Sequence, residues 1–256
     1  MISFLRNMLL ILSPSKTMNF DLLYPQVGAG LPLFAKEAAE LMIQLKDFSI
    51  DDILQKEKLS LNLARSTYEH IQSFEFENTP EKPALFAFDG TVFDKLQASN
   101  LQERELLFLQ NHLRIFSAVY GILSPFDCVR PYRLDMKSEL VKGLYDYWRQ
   151  KVTDELIRLL PENDFILINL ASNEYFKMID RKRLPSQVRI VTPVFKQEIK
   201  GRLATNGLYA KYARGLMTRF IAENAISDVE LLKAFDLEGY FFNPHLSGEN
   251  EWIFVN

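Results

Sequence analysis

Positively charged side chains are concentrated in one part of this sequence. Residues 177–219 contain eleven Lys or Arg and two acidic residues, a local charge of +9 within a chain of net charge −3. A basic segment in an acidic protein is typical of a local binding site for an anion such as phosphate. A solvated basic face without a partner is the alternative, and the charge count alone favours that alternative.

The periodicity of residues 209–224 predicts a helix that carries three of these cations. At 100° per residue, the side predicted to face the core holds Tyr209, Ala213, Leu216 and Phe220. The side predicted to face outward holds Lys211, Arg214, Gly215, Thr218, Arg219 and Ala222. Glycine inside a helix costs roughly 1 kcal/mol relative to alanine. Gly215 therefore either lets a phosphate backbone approach or makes room for a neighbouring helix, and the pattern leaves both open.

Two groups that could take part in catalysis follow predicted strands. Lys16 lies in the loop after the strand at 8–12, where it could contact phosphate or, if desolvated, act as a nucleophile. This loop has no glycine and is not a P-loop. Glu174 follows the strand at 164–170 and could be a general acid or base. The pattern favours a simpler role, in which Ser172 caps a helix and Glu174 complements the helix dipole.

Residues 118–135 predict a hairpin between helices. Gly121 follows a predicted helix at 101–120, and a helix, a tight turn and more helix resemble a helix-hairpin-helix, which offers backbone N–H groups to DNA phosphates. Such hairpins usually carry two glycines, and this one has a single glycine. Arg130, Tyr132 and Arg133 add charge and a ring that could stack. An ordinary helical hairpin with a rigid exit loop is the alternative.

The remaining pattern predicts an α/β fold close to α+β. Strands are predicted at 8–12, 83–88, 164–170 and 187–195, and a turn with a further strand within 198–207. Further helices are predicted at 32–48, 49–71, 143–160 and 228–235, with Ser49 and Asp52 forming a near capping box. Strands and helices do not alternate strictly, which favours a mixed sheet in a single domain over 8–256, with 1–7 as an N-terminal extension.

Composition excludes several classes of protein. The 256 residues are 48% hydrophobic, and the apolar run at 8–12 is too short for a signal peptide or a membrane span. The single cysteine, Cys128, cannot form a disulfide within the chain and fits a reducing compartment. The three histidines are scattered, so no metal site and no cofactor are expected. We expect a monomer without a membrane partner.

Short motifs occur in a fixed order along nearly the whole chain. They are LILSPSKT at 10–17, QNHLR at 110–114, YG at 120–121, PYRL at 131–134, NLAS at 169–172 with EY at 174–175, AKYARG at 210–215 with Met217 and Arg219, and GY at 239–240. Each motif is short, but the ordered set resembles the YaaA family of peroxide-stress proteins.

The resemblance implies a cytoplasmic bacterial protein that limits hydrogen peroxide damage by lowering free intracellular iron. It further implies a single α/β domain of the cantaloupe type with a helix-hairpin-helix element. A positive cleft in that fold would bind double-stranded DNA largely without sequence preference. The cleft or hairpin candidates implied are Lys16, Arg114, Tyr120, Gly121, Tyr132, Arg133, Lys211, Arg214 and Arg219, and the local arguments add Arg130 and Gly215.

The chain departs from the family pattern at several positions. Ala118 stands where glycine is frequent, Ser124 where arginine is frequent and Tyr212 where a second lysine is frequent, and Asp135-Met-Lys137 replaces Glu-Met-Gly. The residue at 124 removes one expected phosphate contact. An enzyme that acts on damaged DNA or a nucleotide through Lys16 or Glu174 is the alternative function. An iron-handling protein is disfavoured, because no cluster has metal-ligand spacing.

Overall fold

A computed structural model describes residues 8–74, 79–160, 165–199 and 201–256. The strands are β1 (Met8–Leu12), β2 (Thr17–Met18), β3 (Lys82–Pro83), β4 (Phe88–Asp89), β5 (Leu113–Ser117), β6 (Gly121–Leu123), β7 (Cys128–Val129), β8 (Phe165–Leu170), β9 (Val188–Ile199), β10 (Arg202–Ala204), β11 (Phe241–Phe242) and β12 (Glu251–Val255). The helices are α1 (Ala35–Leu45), α2 (Ile50–Glu57), α3 (Leu61–Gln72), α4 (Ala84–Ala87), α5 (Thr91–Leu96), α6 (Glu103–His112), α7 (Leu144–Leu159), α8 (Asn173–Phe176) and α9 (Gly207–Glu223). The predicted extension, 1–7, and residue 164 of a predicted strand lie outside the described residues.

A mixed sheet runs through the centre of the molecule. Its strand order is β11-β12-β9-β8-β1-β5-β6, and β10 pairs with β9. The neighbours from β12 to β5 pair in parallel, whereas β6, β10 and β11 pair with their partners in antiparallel orientation. The predicted mixed sheet is confirmed.

The central strand β1 explains why the core is continuous. All five of its residues are buried, as expected for an apolar run between two parallel neighbours with both faces covered. One connected cluster of buried side chains extends from β1 to Trp252 in β12. The chain is therefore a single α/β domain with helices around a mixed sheet. The cantaloupe-type architecture and the boundaries 8–256 stay predictions.

The register of β1 and β8 brings two distant loops together. Leu12 lies opposite Leu170, so both strands end at the same edge of the sheet. The loop 13–17 and the start of α8 leave the sheet side by side at that edge. This is the carboxyl edge of a parallel strand pair, where open α/β sheets place their ligands.

Local sequence signals account for many of the helix boundaries. Ser49 accepts a hydrogen bond from the Asp52 backbone N–H at 3.1 Å, and Asp52 accepts one from the Ser49 N–H at 3.0 Å, which confirms the capping box of α2. Asn206 caps α9 by accepting from the Leu208 N–H at 2.9 Å. Hydrogen bonds from side chains at these positions satisfy backbone donors that a helix start leaves open.

The predicted helix at 101–120 is wrong beyond residue 112. Helix α6 ends at His112, and β5 begins at the next residue, where Leu113 lies opposite Leu10 of β1. Pairing with a central strand outweighs helix propensity, because all five residues of β5 are buried in the sheet. The predicted strand at 83–88 is also wrong in its centre, since residues 84–87 form the helical turn α4.

The helix-hairpin-helix prediction around Tyr120 is corrected to a β-hairpin. Strands β5 and β6 pair antiparallel, with Ser117 opposite Gly121. The Ser117 hydroxyl closes the turn by accepting from the N–H groups of Val119 and Tyr120 at 3.1 and 2.9 Å. Gly121 has a φ of 69°, and a Cβ there would lie 2.6 Å from Trp148. The glycine therefore serves the turn and its packing, not a phosphate.

Candidate anion-binding cleft

A cleft of about 420 Å³ lies at the carboxyl ends of β1 and β8. One side is formed by the loop 13–17 and by α8, and the other by α5 and α9. Four charged side chains from these segments line it, namely Lys16, Glu174, Lys211 and Arg214. The two groups predicted from strand ends and two of the three helix cations thus meet in one place.

Serine side chains hold the two loops of the cleft together. The Ser13 hydroxyl accepts a hydrogen bond from the Ser172 N–H at 2.9 Å and donates to the Ser172 hydroxyl at 3.2 Å. The Ser15 hydroxyl donates to the carbonyl of Asp89. A Cβ on Gly90, whose φ is 151°, would come within 2.5 Å of Ser15 Oγ. The close approach of these chain segments sets the position of Lys16.

Lys16 lies at the mouth of the cleft. Its side chain is 62% exposed and forms an ion pair with Asp135. The Arg133 guanidinium donates to the Lys16 backbone carbonyl at 3.1 Å, which places a second cation beside the first. Arg133 itself lines an adjoining cavity of about 410 Å³ together with Lys16 and His70. The cationic surface therefore continues beyond the cleft itself.

Arg214 lies deeper on the α9 side of the cleft. Its side chain is half-buried, and its Nε is buried with no hydrogen-bond partner among the described residues. Burial lowers the pKa of the Arg214 guanidinium. Within the described parts of the chain, no carboxylate forms an ion pair with Arg214. Lys211, one turn earlier on α9, is exposed. Arg214 is thus a desolvated cation without an ion-pair partner among the described residues.

Glu174 lines the same cleft from the first turn of α8. One carboxylate oxygen, Oε2, lies 3.7 Å from the Lys137 ammonium. The other oxygen, Oε1, is buried without a hydrogen-bond partner in the described structure. Ser172 occupies the N-cap position as predicted, but its side chain makes no capping hydrogen bond to the helix backbone. Complementing the helix dipole therefore leaves one oxygen of Glu174 unused.

Three other predicted site residues, Arg114, Tyr120 and Tyr132, are buried and do not line the cleft. The Arg114 guanidinium donates to the carbonyls of Leu113 and Gln110 at 2.6 and 3.2 Å. The Tyr120 hydroxyl accepts from the Arg130 N–H at 3.1 Å. Tyr132 forms a 2.8 Å hydrogen bond with Ser117. Burial raises the pKa of the Tyr120 and Tyr132 hydroxyls well above the usual range. These groups stabilise the β-hairpin from within.

Arg130 also has a structural partner. Its side chain is 3% exposed, and its guanidinium contacts Glu81 Oε1 at 2.6 and 2.9 Å. Two N–H groups of a buried guanidinium that donate to one carboxylate oxygen fix its position. Arg130 therefore pairs with Glu81 and does not line the cleft.

The outward face predicted for α9 is partly wrong. Gly215, Thr218 and Ala222 are buried, because α5 packs against this face. A Cβ on Gly215 would lie 2.2 Å from the Val92 carbonyl oxygen. Gly215 therefore makes room for a neighbouring helix, the alternative that the sequence left open. Tyr209, predicted to face the core, is 45% exposed.

Arg219 is held by the end of α5. Its guanidinium donates to Glu223 at 2.8 Å, to the Leu96 carbonyl at 3.3 Å and to the Gln97 side chain at 3.1 Å. A helix C-terminus has free carbonyls that accept from cations. The role of Arg219 in this structure is to join α5 to α9, and it does not line the cleft.

Sequence reasoning missed the α5 wall of the cleft. Thr91, Val92 and Phe93 line it opposite α8. The Asp89-Gly90 dipeptide after the predicted strand at 83–88 predicts a turn, but nothing in the sequence indicates which loops that turn faces. Tyr212, where a second lysine is frequent in the family, lies under the Lys95 ammonium at 4.0 Å from the ring centre. That contact is a further link between α5 and α9.

Two features of the described residues concern metal binding and membranes. Among the residues that the structure describes, no three His, Cys, Asp or Glu side chains are grouped so that they could hold a metal ion. None of the helices in the described ranges is long and apolar enough to cross a membrane. Cys128 is a free thiol.

The fold is that of an α/β protein with a cleft lined by cations at the carboxyl edge of its sheet. The family described as peroxide stress protein YaaA matches residues 8–246, and the chain belongs to this family. A UPF0246 protein of Bacteroides thetaiotaomicron is 40% identical over 253 residues, covering 97% of this chain and 98% of the relative. A UPF0246 protein of Crocosphaera subtropica is 41% identical over 254 residues, covering 97% and 100%. The predicted family is confirmed.

Proposed function

We propose that this protein acts in the response to hydrogen peroxide by binding the backbone of double-stranded DNA. The observation that carries the proposal is the convergence of Lys16, Lys211 and Arg214 on one cleft, with Arg133 beside Lys16. Lys16 comes from the loop 13–17, whereas Lys211 and Arg214 come from α9, almost 200 residues later in the sequence. In this proposal the protein is a cytoplasmic monomer, and its occupancy of DNA limits iron-dependent damage.

The expected binding is electrostatic and independent of sequence. Contacts to phosphate position a protein on a duplex but carry no base information. Arg114, Arg130 and Arg219 are committed within the fold, so the surface offers three or four cations to the backbone. Each neutralised phosphate contributes roughly −0.9 to the slope of log K against log[salt]. We therefore expect a slope of about −3, shallower than for an extensive basic interface.

Fluorescence anisotropy of a labelled duplex at several salt concentrations tests this proposal. Lys211→Ala and Lys16→Ala are each expected to weaken binding and reduce the salt slope by about one. Lys36→Ala is the matched control, since Lys36 is an exposed lysine on α1 whose side chain is 87% accessible. Absence of binding at low salt would refute the proposal. An equal loss in Lys36→Ala would refute the assignment to the cleft.

The link to peroxide is tested with iron. Plasmid DNA exposed to ferrous iron and hydrogen peroxide should be cut more slowly when the protein is bound. Lys211→Ala should protect less than Lys36→Ala at the same concentration. Equal protection by both variants would show that DNA binding by the cleft is not the cause of the protection against peroxide.

An enzyme that acts on damaged DNA or a nucleotide is the second candidate. The observation in its favour is Glu174, which brings a carboxylate oxygen without a hydrogen-bond partner into the same cleft as the cations. Lys16 is less suited as a nucleophile, because its ammonium is exposed and ion-paired with Asp135. Incubation with abasic duplex, with borohydride trapping, tests the lyase form. If the incubation gives no cleaved strand and no trapped adduct, the lyase form is ruled out.

A further inference from the structure

The cleft contains a cation and a carboxylate oxygen, from Arg214 and Glu174, that both lack a partner among the described residues. The Arg214 guanidinium is half-buried, and among the described residues no carboxylate pairs with it. Removing a cation from water is costly unless an anion replaces the lost hydration. The Arg214 side chain is therefore best satisfied when an anion occupies the cleft.

Glu174 requires a different chemical group. Its Oε1 is buried and accepts no hydrogen bond from the described residues. A carboxylate oxygen accepts but cannot donate, so its partner must carry an O–H or N–H. Inorganic phosphate carries a P–OH donor at neutral pH, but its negative charge is repelled by the carboxylate, so a donor on an uncharged group suits Glu174 better. The ligand thus has an anionic part and a separate part with a hydrogen-bond donor.

The walls of the cleft indicate the body of that ligand. Pro14, Val92 and Leu170 are apolar and line the cleft beside the charged groups. Small-molecule sites combine such apolar walls with a few placed polar groups, in volumes of roughly 300–1,000 Å³. The cleft volume of about 420 Å³ falls in this range. An organic group therefore lies between the anion and the donor.

We propose that the cleft binds one nucleoside monophosphate unit, with its phosphate at Arg214 and Lys211 and a sugar or base donor at Glu174. The proposal rests on the DNA-binding function proposed above, because it uses the same cations. A base pair stacked in a duplex is too large to enter this volume. A unit that fills the cleft is a free nucleotide or a nucleotide that has left the stack.

Calorimetric titration distinguishes the nucleotide from a simple anion. The probes are dAMP, dGMP, dCMP and dTMP, each against inorganic phosphate and the matching nucleoside. At least one nucleotide is expected to bind ten times more tightly than phosphate and than its nucleoside. Glu174→Gln should weaken that nucleotide tenfold or more, because a hydrogen bond to a charged acceptor is lost. Binding of phosphate should not fall in the same variant.

Two variants separate the roles of the cations and the carboxylate. Arg214→Gln is expected to weaken both the nucleotide and inorganic phosphate. Glu40→Gln is the matched control for charge, since Glu40 is an exposed acid on α1, and it should bind nucleotide like the natural chain. Thermal unfolding establishes that each variant is folded. If Arg214→Gln does not fold, Glu174→Gln alone decides the proposal.

The outcomes keep the nucleotide site separate from the DNA function. Equal affinity for nucleotide and phosphate, or unchanged nucleotide affinity in Glu174→Gln, overturns the nucleotide site even if duplex binding through Lys16 and Lys211 persists. Nucleotide binding without duplex binding supports the site and refutes the DNA function. The protein is also titrated with a duplex that has a one-nucleotide bulge and with a fully matched duplex. If the bulged duplex binds more tightly, and Glu174→Gln removes this difference, the nucleotide in the cleft comes from nucleic acid. Equal affinity for both duplexes identifies the free nucleotide.

Discussion

Replacing Gly215 with alanine tests the contact that builds one wall of the cleft. Helices α5 and α9 approach so closely here that the new Cβ would lie 2.2 Å from the Val92 carbonyl oxygen and 2.8 Å from Lys95 Cβ. The first neighbour is backbone and cannot rotate away. To restore an ordinary van der Waals contact, the helices must separate by about 1 Å, in a core that is otherwise close-packed.

Two opposing effects set the size of the change. Alanine in place of glycine inside a helix gains roughly 1 kcal/mol. Overpacking a well-packed contact costs typically about 1–3 kcal/mol, and more when backbone must move. We expect the loss to exceed the gain, with a net destabilisation of about 2 kcal/mol. For a chain of this length, that corresponds to a fall in Tm of roughly 4–8 °C.

Urea and thermal unfolding of Gly215→Ala measure this loss. Gly207→Ala is the matched control, since Gly207 begins the same helix and a Cβ there would meet nothing within 4 Å. The control should change the free energy of unfolding by less than about 0.5 kcal/mol. A Gly215→Ala protein as stable as the control would show that α5 and α9 are less tightly packed than described. Because Val92 also lines the cleft, the destabilised variant should bind DNA more weakly.

Two further predictions concern the free energy of unfolding. Burial raises the pKa of Asp127 to about 6, so its protonated form is favoured in the folded state, and its contribution to stability increases as pH falls from about 6 to 4. As pH rises from 4 to 7.5, the free energy of unfolding of Asp127→Asn should therefore increase by up to about 3 kcal/mol relative to that of the natural chain. A difference between the two proteins that does not depend on pH in urea titrations would contradict this. Ser49→Ala removes the capping hydrogen bond to Asp52 and should cost about 1 kcal/mol, whereas an unchanged urea midpoint would show that the cap contributes nothing.

The central strands could be predicted because their signals are local. Residues 8–12 form an unbroken apolar run with turn residues after it, and β1 occupies that range. The capping box of α2 likewise depends on two residues three positions apart. In contrast, residues 113–117 have helical periodicity with α6, and their strand depends on pairing with β1 about 100 residues earlier. That pairing leaves no mark in the local pattern.

The candidate site could be predicted only in part, for a similar reason. Lys16 and Glu174 follow from the rule that ligand loops lie at the ends of parallel strands. The burial of Arg114 could not be predicted, because it follows from the pairing of β5 with the distant strand β1. The burial of Arg130 depends on Glu81, which lies 49 positions earlier in the sequence. A helical wheel shows which residues share a face. It does not show that α5 covers the face holding Gly215.

The place of β1 in the sheet has a consequence for protein synthesis. β1 pairs with β5 and β8, and the residues opposite Leu12 are Ile115 and Leu170. At about 5–20 residues per second, a ribosome needs roughly 10–30 seconds to make β8 after β1. During that interval Met8–Leu12 is an apolar segment that lacks β8, one of its two sheet neighbours, and such segments promote aggregation. Burial of Met8–Leu12 in the sheet is therefore complete only after residue 170 has been made.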